Sequence, residues 1–301
     1  MTLQQFFTAV PKAAVAFSGG TDSALLLWAA KQYGCDLRAY YVKTAFQPDF
    51  ELADARRLAE QLSVPMTVVE MDILSVPEAA ANGPRRCYYC KRALFGRLRQ
   101  AAAADGFSVL LDGTNASDDA GDRPGMVALR ELKVRSPLRE CGISKAEVRR
   151  MSRQAGLFTW DKPAYACLAT RVPTGTAITA DALHRVEQAE TALAALGFSD
   201  FRVRLLDGCA RIQMTEDQLP RALDCRGQIL KALEPLFPAV LLGIFPHTND
   251  LFYLVFDLQK FFHLRIDGRK FRLPRLVFLF QTVMLFAPCS DRQFSILKMR
   301  L

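Results

Sequence analysis

A short apolar run, a glycine turn and a leucine-rich segment follow one another near the N-terminus, and this order restricts the fold more than any other feature of the chain. Residues 13–17 have the composition of a buried strand, and residues 22–33 carry the apolar spacing of a helix packed on a sheet. The turn between them is Ser-Gly-Gly-Thr-Asp-Ser. Glycines let the backbone approach a ligand closely, and the N–H groups at a helix start attract anions. The junction predicts a phosphate-binding turn.

The hexapeptide differs from two familiar nucleotide-binding motifs. It lacks the lysine of a Walker A loop and the third glycine of a dinucleotide fingerprint. Glycine, serine and aspartate also occur in ordinary strand-to-helix turns, so the glycine pair alone leaves a purely structural turn open.

The complete SGGTDS sequence resembles the SGGxDS motif of the PP-loop ATP pyrophosphatases. The resemblance implies that ATP is cleaved between its α and β phosphates and that an oxygen of the substrate is adenylated. The residues it assigns to the nucleotide are Ser18, Gly19, Gly20, Asp22 and Ser23, with Asp22 also in a catalytic role.

Strands and helices are predicted to alternate through residues 1–155, which we expect to form a PP-loop domain. Further strands are predicted at 37–42, 66–69 and 108–112, with helices at 49–62 and 86–104 between them. A capping box at residues 144–147 begins a last helix that ends near residue 155. The pattern predicts an α/β fold with a parallel sheet wound on both faces and its ligands at the carboxyl ends of the strands.

A second, smaller α+β domain is predicted over residues 156–236. It begins with a loop-rich stretch at 156–179, of the kind that carries functional residues. A helix at 180–196 follows, and strands at 201–206 and 210–214 are predicted to form a hairpin across Asp207-Gly208.

Residues 237–301 differ in composition from the rest of the chain. They contain 11 of the 21 phenylalanines and no glutamate, yet their apolar runs are shorter than the roughly 18 residues of a membrane span. We therefore predict no membrane segment. The stretch is either an aromatic appendage that covers a surface or a segment whose reading frame was altered.

The distribution of charge argues against a nucleic-acid partner. Of the net charge of +8, the segment 237–301 carries +5, from nine Lys or Arg against four Asp, which leaves +3 for residues 1–236. Basic residues spread in this way are typical of a solvated surface.

The cysteines and the N-terminus predict a cytoplasmic protein. No secretory signal is visible in the first residues, and a reducing compartment follows from this. The eight cysteines are then metal ligands, reactive thiols or buried apolar residues rather than disulfides.

Two segments bring cysteine together with basic residues. Cys87 and Cys90 form a CxxC at the start of a predicted helix, a spacing that suits a metal or cluster, a redox pair or two unrelated buried thiols. Cys167 precedes Arg171 in the loop at 160–175, and a neighbouring cation is expected to lower the pKa of a thiol and make it nucleophilic. A small buried cysteine is the alternative at this position.

An acidic loop at residues 112–125 follows the strand predicted at 108–112. Its carboxylates Asp118, Asp119 and Asp122 are candidate ligands for the Mg²⁺ that accompanies ATP, and Arg123 is a candidate phosphate or carboxylate ligand. A solvated polar loop is the alternative.

Taken in order, SGGTDS, RCYYCK, DGTN…GDRPG, KPAYACLATR and AETALAALGFSDFRVRLL resemble the ATP-dependent sacrificial sulfur transferases from residue 13 to about residue 236. The resemblance implies a pyridinium-3,5-biscarboxylic acid mononucleotide substrate whose carboxylates become thiocarboxylates, for the nickel-pincer cofactor of lactate racemase. It also implies ATP with Mg²⁺, a homohexamer and partner enzymes of the same biosynthesis.

The resemblance further assigns individual residues. Gly113 and Arg123 join the nucleotide site, and Lys91 stabilises charge on the phosphates. Arg202 and Arg204 alternate along a strand, so that both face one side and bind substrate or form a solvated face. The implied substrate-binding residues are Arg171, Glu190, Arg202 and Arg204. Gln213 departs from the acidic residue usual after Ala-Arg-Ile.

Two sulfur sources remain open within this family. A single donor cysteine gives up its own sulfur, whereas three cysteines hold a [4Fe–4S] cluster with one iron free to carry sulfide. Because the chain has Cys87, Cys90 and Cys167, we favour the cluster, although the single-cysteine donor aligns either with Cys167 or with Ala166. The rival functions are tRNA thiolation or amidation by another PP-loop enzyme and a nucleotide-binding sensor without catalysis.

Overall fold

The computed structural model describes residues 1–118 and 124–244, and the backbone of short strands at 254–255, 265–266 and 269–270. The chain divides into two compact units, residues 1–256 and 257–301. The predictions for Asp119, Asp122 and Arg123, and most of those for 237–301, lie outside the described residues.

A four-stranded parallel sheet forms the first part of the larger unit, in the order β3-β2-β1-β4. Its strands are β1 (Lys12–Ala16), β2 (Asp36–Lys43), β3 (Met66–Glu70) and β4 (Leu110–Leu111). The helices in this part are α1 (Leu3–Ala9), α2 (Thr21–Gln32), α3 (Asp49–Gln61), α4 (Pro77–Ala80), α5 (Arg86–Ala104), α6 (Pro124–Glu131), α7 (Pro137–Glu140) and α8 (Lys145–Gln154). The predicted α/β class is confirmed.

Both faces of this sheet are covered because successive residues of β1 point to opposite sides. Ala13 and Val15 are buried in a core shared with α1, α2 and α3, whereas Ala14 is buried in a second core with Leu98 of α5. Because β1 and β4 are parallel neighbours, the start of α2 and the segment after β4 meet at the carboxyl edge of the sheet. The capping box of Ser144 and Glu147 begins α8, as predicted.

A second sheet follows in the order β5-β6-β7-β8. It consists of β5 (Arg202–Leu206), β6 (Cys209–Met214), β7 (Val240–Ile244) and β8 (Leu254–Val255), with helices α9 (Ala180–Ala195), α10 (Leu219–Asp224) and α11 (Arg226–Leu233). The predicted hairpin is present, and Asp207 and Gly208 both have the positive φ that its tight turn requires. Strand β7 pairs in parallel with β6, so the sheet continues past residue 236.

The loop between the two sheets contains one helical turn, a 3₁₀ helix at Leu168–Arg171. Within the smaller unit, β9 (Arg265–Ile266) and β10 (Arg269–Lys270) form an antiparallel pair. Over the described residues, no helix has the length and apolar character needed to cross a membrane.

Candidate functional site

The glycine turn after β1 has a backbone that only glycine accommodates. Gly19 has φ of +71°, and a Cβ there would lie 3.1 Å from Ala55 Cβ and from the carbonyl oxygen of Glu51. Gly20 is the N-cap of α2 and places no side chain over the helix start. The first N–H groups of α2 are thus left to an anion, which the helix dipole favours.

The hydroxyl groups of Ser18 and Ser23 stabilise the conformation of this turn. The Oγ atoms of Ser18 and Ser23 lie 3.1 Å apart, and the Ser18 N–H donates to Ser23 Oγ at 3.3 Å. Ser23 Oγ also donates to the carbonyl of Gly20 at 3.2 Å. The turn is therefore held in shape by its own residues before a ligand arrives.

Asp22 lies in the first turn of α2 and contacts two residues that sequence analysis did not assign. Asn115 Nδ2 donates to Asp22 Oδ1 at 3.0 Å, and Lys145 Nζ forms an ion pair with Oδ2. Lys145 had a signal in the sequence, since it follows the capping serine of α8, but nothing local indicated that α8 begins beside the turn. The pair places a lysine at the helix start where phosphates would bind.

Gly113 packs against the start of α2, whereas Lys91 contacts the start of α6. A Cβ on Gly113 would lie 2.9 Å from the backbone nitrogen of Ser23, so this glycine permits close packing against α2. The stem of Lys91 packs on Gly125 at the start of α6, where a Cβ would lie 3.0 Å from Lys91 Cδ. Asp118, the described member of the acidic loop, accepts from the Asn115 N–H at 2.9 Å.

The three predicted sulfur ligands lie close enough to influence one another electrostatically. Cys87 is exposed, and Cys90 and Cys167 are half-buried. Burial, followed by the neighbouring Cys167 and Cys87, raises the pKa of Cys90 to about 12. Among the residues that the structure describes, no three His, Cys, Asp or Glu side chains already form a group that could hold a metal ion.

The expected lowering of the Cys167 pKa is wrong. Burial raises the pKa of this thiol by more than the nearby guanidinium groups lower it, and Arg86 is a stronger opposing influence than Arg171. The sequence indicated Arg171 because it is close in the chain, but its charge is directed elsewhere.

Arg171 and Glu190 bind each other in the core. Arg171 is 1% exposed, its Nε donates to Glu190 Oε1 at 2.7 Å, and its Nη2 donates to Oε2 at 3.2 Å. Glu190 also accepts from the Tyr165 hydroxyl and from the Val203 N–H. The predicted substrate-binding role of both residues stays a prediction, and their contacts give them a clear part in fixing the loop to β5.

Arg202 and Arg204 lie on one face of β5, as their spacing predicted. Arg202 donates to the carbonyl of Ala164 at 2.7 Å, and Arg204 donates to that of Thr170 at 3.3 Å. Arg204 is opposite Arg211 of β6. Burial, and then the charges of Arg171, Arg211 and Arg202, lower the pKa of Arg204. This concentration of positive charge favours an anion.

The first half of the loop is tied to the nucleotide side of the site. Thr21 Oγ1 donates to the carbonyl of Thr159 at 2.8 Å, beside the glycine turn. Lys162 pairs with Asp54 of α3 at 2.6 Å. The cysteine-bearing loop therefore starts at the glycine turn and ends against β5 and α9.

Comparison with known proteins agrees with this geometry. The family model of the queuosine biosynthesis protein QueC matches residues 12–81. An uncharacterized protein of Synechocystis is 39% identical over 72% of this chain and 81% of its own length. The pyridinium-3,5-bisthiocarboxylic acid mononucleotide synthase of Lactiplantibacillus plantarum is 35% identical over 74% of this chain and 81% of its own. The chain belongs to this synthase family.

More distant similarity extends to tRNA-modifying sulfurtransferases. The tRNA-specific 2-thiouridylase MnmA of Pseudothermotoga lettingae is 27% identical over 34% of this chain and 36% of its own length. The chain is therefore an enzyme, a sulfurtransferase of the PP-loop type. ATP is the nucleotide that this family uses.

Proposed function

We propose that this enzyme adenylates the carboxylates of pyridinium-3,5-biscarboxylic acid mononucleotide and replaces an oxygen of each with sulfur. The site has a nucleotide half, which is the glycine turn with the start of α2, and a sulfur half, which is the cysteine-bearing loop. The observation that carries the proposal is the hydrogen bond that joins them, from Thr21, the first residue of α2, to Thr159 of the loop. A nucleotide-activating turn and a sulfur-bearing loop in direct contact suit the family's reaction. The product would be a precursor of the nickel-pincer cofactor of lactate racemase.

The first step activates a poor acyl donor. A carboxylate oxygen of the substrate attacks the α phosphorus of ATP, the bond between the α and β phosphates breaks, and pyrophosphate leaves. The first N–H groups of α2 and the ammonium groups of Lys145 and Lys91 would stabilise the departing charge. Mg²⁺ would be held by Asp118 and the acidic loop.

The second step forms the carbon–sulfur bond. A sulfur nucleophile attacks the carbonyl carbon of the acyl adenylate, the bond from that carbon to the bridging oxygen breaks, and AMP leaves. Cys167 lies on the loop that is bound to the glycine turn at Thr159 and to β5 through Arg202 and Arg204. The cationic face of Arg202 and Arg204 would bind the phosphate or second carboxylate of the substrate.

The three thiols Cys87, Cys90 and Cys167 fit a [4Fe–4S] cluster in residue type. Cys87 and Cys167 act on the charge of Cys90, but in the described residues the three do not yet form a group that could hold a metal, so the loop would have to close around the cluster. Bound there, the cluster would supply a site for an extra sulfide, so that the protein is not consumed. The alternative is donation of the Cys167 sulfur itself, which leaves dehydroalanine. The cytoplasmic location, the hexamer and the partner enzymes stay predictions.

Pyrophosphate release on addition of the dicarboxylate nucleotide tests the first step. We expect Asp22→Ala to reduce release by about 100-fold, because Lys145 loses the carboxylate that holds it at the turn. Asp36→Ala is the control, since its exposed pair with Lys12 lies away from the turn. Normal release by Asp22→Ala would contradict the phosphate site, and release driven instead by bulk tRNA would favour tRNA thiolation.

Iron and sulfide analysis after anaerobic purification, followed by mass spectrometry after turnover, separates the two sulfur sources. Bound iron with an intact Cys167 supports sulfide carriage. Loss of one sulfur from Cys167 in a protein without iron supports self-sacrifice and would overturn the cluster proposal.

A further inference from the structure

The segment just before the CxxC contains a buried asparagine whose hydrogen bonds reach the cysteine-bearing loop. Asn82 is fully buried and has φ of +56°. Its Nδ2 is directed at the carbonyl oxygens of Val172, Pro173 and Thr176, at 3.3, 2.9 and 3.0 Å. Its own carbonyl accepts from the Gly175 N–H at 2.9 Å. One residue thus binds the loop through both its side chain and its backbone.

Arg86 extends this connection towards the thiols. Its Nη1 donates to Asn82 Oδ1 and, at 2.9 Å, to the carbonyl of Ala169, two residues after Cys167. Its Nη2 lies 3.9 Å from Cys87 Sγ. The side chain therefore bridges the start of α5, which carries the CxxC, and the helical turn that follows Cys167.

We propose that Asn82 and Arg86 are positioning residues that hold Cys167 beside Cys87 and Cys90. The consequence for sulfur transfer rests on the proposed function, whereas the positioning itself does not. Residues 173–177 are exposed and have little apolar packing of their own, whereas Leu168, Ala169 and Val172 before them are buried in the core. The hydrogen bonds from Asn82 and Arg86 therefore fix the exposed stretch and connect its buried start to α5. Because misplacement of a reacting group by about 1 Å can reduce a rate by about 100-fold, such anchors matter for transfer.

Asparagine meets two requirements at position 82. It tolerates a left-handed backbone better than most residues, and it offers both a donor and an acceptor. Asn82→Asp keeps the shape and the acceptor for Arg86 but removes the donor to the three loop carbonyls. Arg86→Gln shortens the bridge to Ala169. The two variants break the connection at different points.

The test is thiol cross-linking in the full chain. A short bis-maleimide is applied, and mass spectrometry of the digest measures the Cys87–Cys167 and Cys90–Cys167 products. We expect both yields to fall by about tenfold in Asn82→Asp and in Arg86→Gln, because the loop is no longer held at a fixed distance. Arg99→Gln, an exposed position on the same helix, is the matched control and should leave the yields unchanged. Yields within about twofold of wild type in both variants would overturn the proposal.

A second measurement separates this inference from the proposed function. Pyrophosphate release should change by less than about twofold in either variant, since neither residue contacts the glycine turn, while sulfur transfer should fall by about 100-fold. If wild type releases no pyrophosphate, the proposed function fails and the cross-linking result still decides the positioning. If Asn82→Asp does not fold, Arg86→Gln and the milder Arg86→Lys decide it, with Lys expected to restore part of the yield.

Discussion

The two halves of the site are built in different ways. The nucleotide half is built around a local turn: six consecutive residues make it, and the hydrogen bonds within it span at most five positions, while Asn115 and Lys145 reach Asp22 from outside. The sulfur half is assembled from distant segments, with Glu190 holding Arg171 and Asn82 holding residues 172–176. A local turn keeps its shape through backbone conformation, whereas an assembled loop depends on each side chain that crosses to it.

The two halves should therefore respond differently to substitutions. A change in the turn affects a few backbone groups and should act on nucleotide chemistry with a modest effect on stability. A change in the buried groups of the loop leaves charges or carbonyls without partners and should lower the free energy of unfolding.

The largest effect is expected for Glu190→Gln. The variant keeps the size of the side chain but leaves the Arg171 guanidinium buried without a counter-charge, which costs about 3–5 kcal/mol of the free energy of unfolding. Urea denaturation measures this loss. Asp181→Asn removes an ion pair on the same helix whose carboxylate is 74% exposed, and should cost less than about 0.5 kcal/mol. Equal losses in the two variants would contradict the assembled-loop account.

A smaller effect on stability, with a large effect on activity, is expected for Gly113→Ala. The new Cβ would lie 2.9 Å from the Ser23 nitrogen, so β4 and the start of α2 must separate, at a cost of about 1–3 kcal/mol. Pyrophosphate release should fall by about tenfold as the turn shifts. Gly96→Ala has open space within α5 and should instead stabilise by about 0.5–1 kcal/mol. Unchanged release by Gly113→Ala would show that the turn does not depend on this close approach.

The sequence predicted the local half better than the assembled half, for the same physical reason. The strand, turn and helix at residues 12–32 follow from contiguous periodicity, and the helix at Arg86–Ala104 has the predicted bounds. The part of the nucleotide half that the sequence did not predict is also assembled from distant segments: the contact of Lys145 with Asp22 spans 123 positions and depends on how α8 packs, which no local pattern encodes. The same holds for the burial of Cys167, which reversed the expected direction of its pKa shift.

The smallest effect concerns Glu51, where the two halves meet. Its carbonyl faces Gly19, and its carboxylate is near Lys162 of the loop. Burial, only partly opposed by the charge of Lys162, raises the pKa of Glu51 from 4.5 to about 7.

The folded state therefore binds more protons than the unfolded state between these pH values. The ionisation of Glu51 thus lowers the free energy of unfolding as the pH rises from about 4.5 to about 7. Glu51→Gln should be more stable than wild type at pH 8 and equally stable at pH 4, as measured by thermal unfolding. Glu60→Gln, exposed on the same helix, should show no such difference. A gain for Glu51→Gln that is the same at both pH values would mean that packing, and not the charge of this carboxylate, limits stability where the turn and the loop meet.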